Sequence, residues 1–182
     1  MTGQIPDTFI YNEDKFELVY LKGGDLITPQ DYGMNPQMLH TACYRGFYST
    51  YEIKDNQLLL QKMVVGEITG QYPEINGVEP KQQDYGVYYE NLSLLTDFTG
   101  VIRIAKELIN ELYIHMGYQK GTAYKTLLEL KFQHGSLINV KDLSKQNRRK
   151  EGAFKKTTEK TSPLNMINNS FDLTFDDLFE EN

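Results

Sequence analysis

Residues 44–65, YRGFYSTYEIKDNQLLLQKMVV, contain the clearest structural pattern in the chain. Side chains alternate between two faces over residues 47–54 and a second apolar run follows, which predicts two strands. Asp55 and Asn56 both tolerate positive φ, so they predict a two-residue turn between these strands. In the antiparallel hairpin that results, the predicted pairs are Ile53 with Leu58, Tyr51 with Leu60 and Phe47 with Val64.

This hairpin needs further strands or a helix to cover its apolar face, because an isolated hairpin is only marginally stable in water. The rest of the first 144 residues contains suitable segments, rich in Val, Ile, Tyr and Phe and bounded by polar or Gly-containing turns. The further predicted strands are 8–11, 16–21, 85–95, 100–105, 126–132 and 136–140.

One segment has helical rather than strand periodicity. Over residues 105–116 the apolar side chains recur at intervals of three and four, and Gly117 follows as a C-terminal stop. We therefore expect one amphipathic helix that lies on the sheet or closes one end of it. Its apolar stripe is formed by Ala105, Leu108, Ile109, Leu112, Tyr113 and Met116.

Together these elements predict an α+β domain that is mostly antiparallel β, with about seven or eight strands and one amphipathic helix. The pattern fits both a curled sheet and a small barrel. We divide the chain into a β-rich globular domain over residues 1–144, a basic flexible linker over 145–169 and an acidic-hydrophobic interaction tail over 170–182. The apolar periodicity stops at the start of the linker, so we expect disorder in the C-terminal tail.

The charge of the chain is unevenly distributed. Residues 1–144 hold 12 basic and 18 acidic side chains, residues 145–160 hold 7 and 2, and residues 161–182 hold 0 and 5. The net charge of −6 argues against a protein that coats nucleic acid, because that activity needs clustered Lys and Arg. Direct nucleic-acid binding is therefore not expected, although phosphate contacts by the basic linker are an alternative.

The single cysteine, Cys43, excludes an internal disulfide framework and fits a reducing compartment. The N-terminus lacks a basic region followed by an apolar run, and no stretch is apolar enough to span a membrane. We expect a cytoplasmic protein without a membrane partner.

The tail contains apolar side chains that are spaced for recognition. Thr174 is a candidate N-cap, and an amphipathic helix that starts there would place its aromatic and leucine side chains on one face, against a groove of a partner. The alternative is that the tail packs on its own domain or pairs with the basic linker. The predicted partner-binding residues are Phe171, Phe175, Asp177, Leu178 and Phe179.

Three resemblances add a biological setting. The body, in its segments 44–53, 75–80 and 112–118 (YRGFYSTYEI, INGVEP and LYIHMGY), resembles a family of small uncharacterised bacterial proteins. The sequence FDDLF at 175–179 resembles, in its last three positions, the short peptides that dock on the bacterial sliding clamp. Its acidic, Phe-containing character is also similar to the tails of bacterial single-stranded-DNA-binding proteins. The second resemblance implies a sliding clamp as a candidate partner.

Catalytic and metal-binding patterns are weak in this sequence. His40 and Cys43 are spaced like half of a zinc site, but no second pair follows at metal-binding spacing, so we predict neither a metal nor a cofactor. There is no phosphate-binding Gly-rich loop and no nucleophile elbow. If the domain is a barrel with a pocket, its candidate lining residues are Tyr44, Arg45, Tyr51 and Arg103.

Our sequence-based interpretation is a non-enzymatic intracellular binding or regulatory protein of the immunity, antitoxin or phage type. It would engage a protein partner through the C-terminal acidic-hydrophobic peptide. The alternative is a small-ligand-binding or enzymatic β-barrel with a Tyr- and Arg-lined pocket, which a deep polar cavity would favour and a filled interior would disfavour.

Overall fold

The fold was analysed in a computed structural model that describes residues 2–146 of the 182. These residues form nine strands that belong to one sheet. The predicted tail and all but the first two residues of the predicted linker lie outside the described residues. The strands are β1 (Thr8–Tyr11), β2 (Asp14–Gly23), β3 (Phe47–Lys54), β4 (Gln57–Val65), β5 (Lys81–Gln82), β6 (Val87–Leu95), β7 (Gly100–Leu108), β8 (Tyr124–Gln133) and β9 (Ser136–Asp142).

Seven of these strands close into a barrel, in the order β3-β1-β2-β7-β8-β9-β4, and β4 pairs again with β3. All neighbouring pairs are antiparallel except β1 and β3, which are parallel. The closure between β4 and β9 is narrow and consists of the pair Gln57 and Ser136. Strands β6 and β5 extend the sheet from β4 beyond the barrel. The predicted β-rich fold is confirmed, and of the two predicted architectures the protein adopts the barrel.

The central hairpin forms as predicted near its turn and differs farther away. Asp55 and Asn56 have φ values of 51° and 60°, and the pairs Ile53 with Leu58 and Tyr51 with Leu60 are present. Between Thr50 and Tyr51 the register shifts by one residue, because Gln61 is an extra residue on β4. Phe47 consequently pairs with Val65 and not with the predicted Val64.

The predicted helix over residues 105–116 was wrong. Residues 105–108 continue β7, and Asn110–Leu112 form a single 3₁₀ turn. The backbone of β7 pairs on both edges, so that Ala105 lies opposite both Glu17 of β2 and Leu127 of β8. Sheet hydrogen bonds on both sides therefore outweigh the helical spacing of the side chains. The α-helical residues that the structure describes are instead 144–146.

Large buried side chains fill the barrel interior. The alternating positions of β7, β8 and the central hairpin point inward and form one cluster with the residues of β1 and β6. This packing leaves the ends and the outer face of the barrel as the surfaces available for binding. No helix among residues 2–146 has the length and apolar character needed to cross a membrane. The largest side chains in the interior are those of Phe9, Tyr51, Leu58, Leu60, Met63, Tyr89, Phe98, Ile102 and Phe132.

Candidate binding surface at one end of the barrel

The N-terminal residues 2–7 lie between two loops at one end of the barrel, and we call these residues the strap. Gln4 donates its backbone N–H to the carbonyl of Gly117 at 2.8 Å, and Ile5 donates to the carbonyl of Ala42 at 2.9 Å. The side chain of Gln4 adds two hydrogen bonds, to the carbonyl of Thr41 and from the backbone N–H of Tyr44, both 3.0 Å. The strap and the loops 40–46 and 113–119 thus form one surface, which we call the strap face.

The strap is fixed by an ion pair at its last residue. Asp7 is 5% exposed, and its carboxylate accepts two hydrogen bonds from the guanidinium of Arg45, at 2.5 and 3.1 Å. The backbone N–H of Ser49 donates to the same carboxylate at 2.7 Å. Arg45 Nε donates to the carbonyl of Phe47, and the guanidinium lies over the Phe47 ring at 4.6 Å. These contacts join Asp7 and Arg45 to Phe47 and Ser49, so the pair holds loop 40–46 against β3.

The electrostatics of this pair reflect its burial. Burial lowers the pKa of the Arg45 guanidinium, but the charge and hydrogen bonds of Asp7 outweigh that effect and the net shift is upward. Burial raises the pKa of the nearby Cys43 thiol, so this cysteine is not activated as a nucleophile. Burial also raises the pKa of Tyr118.

An open cleft of about 360 Å³ lies beside the strap. Glu17 of β2 lines the cleft, and its carboxylate accepts a hydrogen bond from the hydroxyl of Tyr124. Burial, followed by the hydrogen bond and charge of Glu17, raises the pKa of Tyr124 strongly, so its hydroxyl remains a donor at neutral pH. The lining residues are Gly3, Gln4, Ile5, Pro6, Thr8, Glu17, Leu108, Tyr113 and Gln119.

Large apolar side chains are exposed on the strap face. Tyr44 and the loop that follows the 3₁₀ turn contribute them, with Met116 the most exposed at 55%. The loop is held in shape by two hydrogen bonds between the side-chain amide of Gln119 and the backbone of Ile114. These side chains are therefore presented by an ordered loop. The exposed members are Tyr44, Tyr113, Ile114, Met116 and Tyr118.

The four side chains predicted to line a barrel pocket lie in different environments. Tyr44 is half exposed on the strap face, and Arg45 forms an ion pair with Asp7. Tyr51 is buried in the interior, where its hydroxyl donates to the carbonyl of Ile27 at 2.9 Å. Arg103 alternates with the inward-facing residues of β7 and so lies on the outer face, with Glu129 at 2.7 Å. None of the four lines the cleft.

The half zinc site considered from the sequence forms a local turn. The carbonyl of His40 accepts the backbone N–H of Cys43 at 2.8 Å, and the buried Cys43 thiol donates to the carbonyl of Phe47 at 3.4 Å. Among residues 2–146, no group of three or more His, Cys, Asp or Glu side chains is arranged to hold a metal ion.

Sequence reasoning missed the main polar residues of this end. Asp7 lies in a segment without periodicity, and Glu17 has the ordinary composition of a half-exposed strand position. The hydrogen bond between Glu17 and Tyr124 joins residues 107 positions apart and depends on the register of three strands. One feature of the sequence could have indicated the role of Asp7, namely the position of this charged residue directly before an apolar strand.

Comparisons with known proteins identify no relative. No family model, no curated protein and no solved structure matches this chain.

Proposed function

We propose that this protein is a non-enzymatic binding protein that engages a protein partner. The observation that supports this function best is the filled interior of the barrel combined with apolar side chains exposed at the strap face. A filled interior leaves no room for the alternative, a ligand pocket inside the barrel. The four Tyr and Arg side chains proposed to line such a pocket also lie apart from one another. Exposed apolar side chains on an ordered surface are typical of protein-interaction sites.

The proposal has two contact elements. The first is the acidic-hydrophobic peptide at the C-terminus, whose anchors are Phe171, Phe175, Leu178 and Phe179, with Asp177 as an acidic contact. The second is the strap face. Because the peptide and the strap face belong to one chain, binding of the peptide raises the effective concentration of the strap face at the partner. The two elements together would therefore bind the partner more tightly than either alone.

We also propose that the setting is bacterial and cytoplasmic and that a sliding clamp is the first partner to test. The support for this choice is the similarity of 175–179 to clamp-binding peptides. Immunity, antitoxin and phage proteins are the functional types that fit a small, acidic binding protein. The resemblance of the body to small uncharacterised bacterial proteins supports the same setting.

The decisive experiment compares four forms of the full chain in affinity capture from a bacterial lysate, followed by binding of the purified partner. The forms are the unmodified chain, Phe175→Ala/Phe179→Ala, Tyr118→Ser/Met116→Ser, and the control Leu95→Ser. Leu95 is 60% exposed and lies on β6, outside the strap face.

We expect the phenylalanine variant to weaken partner binding by at least about tenfold, the loss of about 1.4 kcal/mol. We expect a smaller loss from the strap-face variant and none from the control. A purified sliding clamp, titrated against the same forms, tests the named candidate. Equal binding by all four forms would contradict the proposed function.

A further inference from the structure

The carboxylate of Glu17, a residue that lines the cleft beside the strap, lacks the cationic partner that several other carboxylates of the barrel have. Asp7, Asp14, Glu90 and Glu129 each have a Lys or Arg nitrogen within 3.5 Å. Glu17 makes no ion pair within residues 2–146.

The carboxylate of Glu17 is nevertheless held in place. The Tyr124 hydroxyl donates to its Oε2 atom, and Tyr124 is itself only 2% exposed. A carboxylate has lone pairs for about four hydrogen bonds, so one tyrosine hydroxyl leaves most of its acceptor capacity unused. A neutral donor also leaves its negative charge uncompensated. Glu17 is thus an oriented anion in the wall of an open cleft.

The lining of the cleft suits a long side chain with a cationic end. Ile5, Pro6 and Leu108 supply apolar surface for a methylene stem, and Tyr113 adds an aromatic side chain to the lining. Within the described part of the chain, no Lys, Arg or His lines the cleft. A volume of about 360 Å³ is at the lower end of the range for small-ligand sites and exceeds that of one side chain.

We propose that this cleft binds the cationic end of an arginine or lysine side chain of the protein partner, with the carboxylate of Glu17 as its acceptor. The exposed aromatic and aliphatic side chains around the opening would then contact the backbone and apolar neighbours of that basic residue. This inference rests on the proposed function and deepens it, because it gives the partner's chemistry: a basic residue flanked by apolar ones.

The test uses the isotope-labelled full chain and small-molecule probes. Nα-acetyl-arginine methylamide and Nα-acetyl-lysine methylamide are the cationic probes. The citrulline and norleucine derivatives are neutral controls of similar shape. Backbone amide resonances of Gly3, Gln4 and Gln119 report on the cleft, and those of the distant turn residues Asn76 and Gly77 serve as an internal reference.

We expect saturable shifts of the cleft resonances with the arginine probe and at least about tenfold weaker binding of citrulline. The lysine probe shows which of the two basic side chains the cleft prefers. Glu17→Gln keeps the shape of the side chain but removes its charge, so it should weaken binding of the arginine probe by a similar factor. Because the arginine and citrulline comparison uses the unmodified chain, it holds even if the variant does not fold.

Equal binding of arginine and citrulline, unchanged binding to folded Glu17→Gln, or the absence of saturable shifts would each overturn the cation site. Such a result would leave partner capture through Phe175 and Phe179 unaffected, so the two proposals fail separately. Conversely, arginine binding without any captured partner would contradict the proposed function and leave the cleft as a site for basic side chains.

Discussion

Asp7 and Glu17 are two carboxylates at the same end of the barrel, and they differ in the partners that the fold provides for them. Asp7 is matched by the guanidinium of Arg45 and by the backbone N–H of Ser49. Glu17 is matched only by the neutral hydroxyl of Tyr124 and borders an open cleft.

The difference separates a structural carboxylate from one that is available for binding. A buried charge needs a partner of opposite sign, because the cost of desolvating it is otherwise not offset. Asp7 satisfies that requirement inside the chain and holds the strap. Glu17 is only half-buried and lines the open cleft, so its carboxylate can accept a cation from outside the chain.

The largest effect is expected from breaking the first pair. Arg45→Met leaves the Asp7 carboxylate buried without a cation and should lower the free energy of unfolding by about 3 kcal/mol, measured by chemical denaturation. This value is at the lower end for buried pairs because the Arg45 side chain is 31% exposed. The double variant Asp7→Asn/Arg45→Met should recover part of the loss. A loss below about 1 kcal/mol would contradict a structural role for the pair.

A smaller effect is expected from the second pair. Tyr124→Phe keeps the buried ring and removes the hydroxyl that orients Glu17, so the free energy of unfolding should fall by about 1 kcal/mol. Tyr118→Phe is the matched control, since Tyr118 is 45% exposed and its loss of a hydroxyl should have almost no effect. Equal effects of the two substitutions would mean that the hydroxyl contact with Glu17 contributes nothing.

The smallest effect concerns alkaline pH. Because the pKa of Tyr124 in the folded state is raised above the ordinary tyrosine value of about 10, its stabilising effect is complete below about pH 10 and is lost as the pH rises toward the folded-state pKa. The free energy of unfolding should therefore decrease above about pH 10, and less steeply in Tyr124→Phe. Denaturation series at several alkaline pH values test this. Tyr51 and Tyr89 also have raised pKa values and remain in both proteins, so only the difference between the two series reports on Tyr124. If both proteins lost the same free energy of unfolding above about pH 10, the raised pKa of Tyr124 would be contradicted.

Local patterns predicted the hairpins well. The turns at Asp55-Asn56 and His134-Gly135 have positive φ at both residues, and each joins two adjacent antiparallel strands. Such turns were predictable because the φ requirement and the strand alternation both act within a few residues. The one-residue bulge at Gln61 was not predictable, since it depends on how the two strands pack in a closed barrel.

The candidate site was predicted only in part. Tyr44 and Arg45, which were predicted as pocket-lining residues, lie on the strap face, whereas Tyr51 is buried in the interior and Arg103 lies on the outer face. Their separation follows from strand alternation around a closed barrel, in which neighbouring residues on a strand face opposite sides. The partner-binding residues predicted in the tail lie outside the described residues, so their role stays a prediction; they are Phe171, Phe175, Asp177, Leu178 and Phe179.

The amino-acid sequence alone determined that this chain forms hairpins with defined turns and enough apolar side chains for one β-rich core, because those properties depend on neighbouring residues. Only the tertiary structure decided that residues 105–108 extend a strand, that the barrel closes through Gln57 and Ser136, and that Glu17 meets Tyr124 beside an open cleft. These features depend on pairings between residues that are distant in the chain, and long-range pairing overrides local preference wherever a strand has neighbours on both edges.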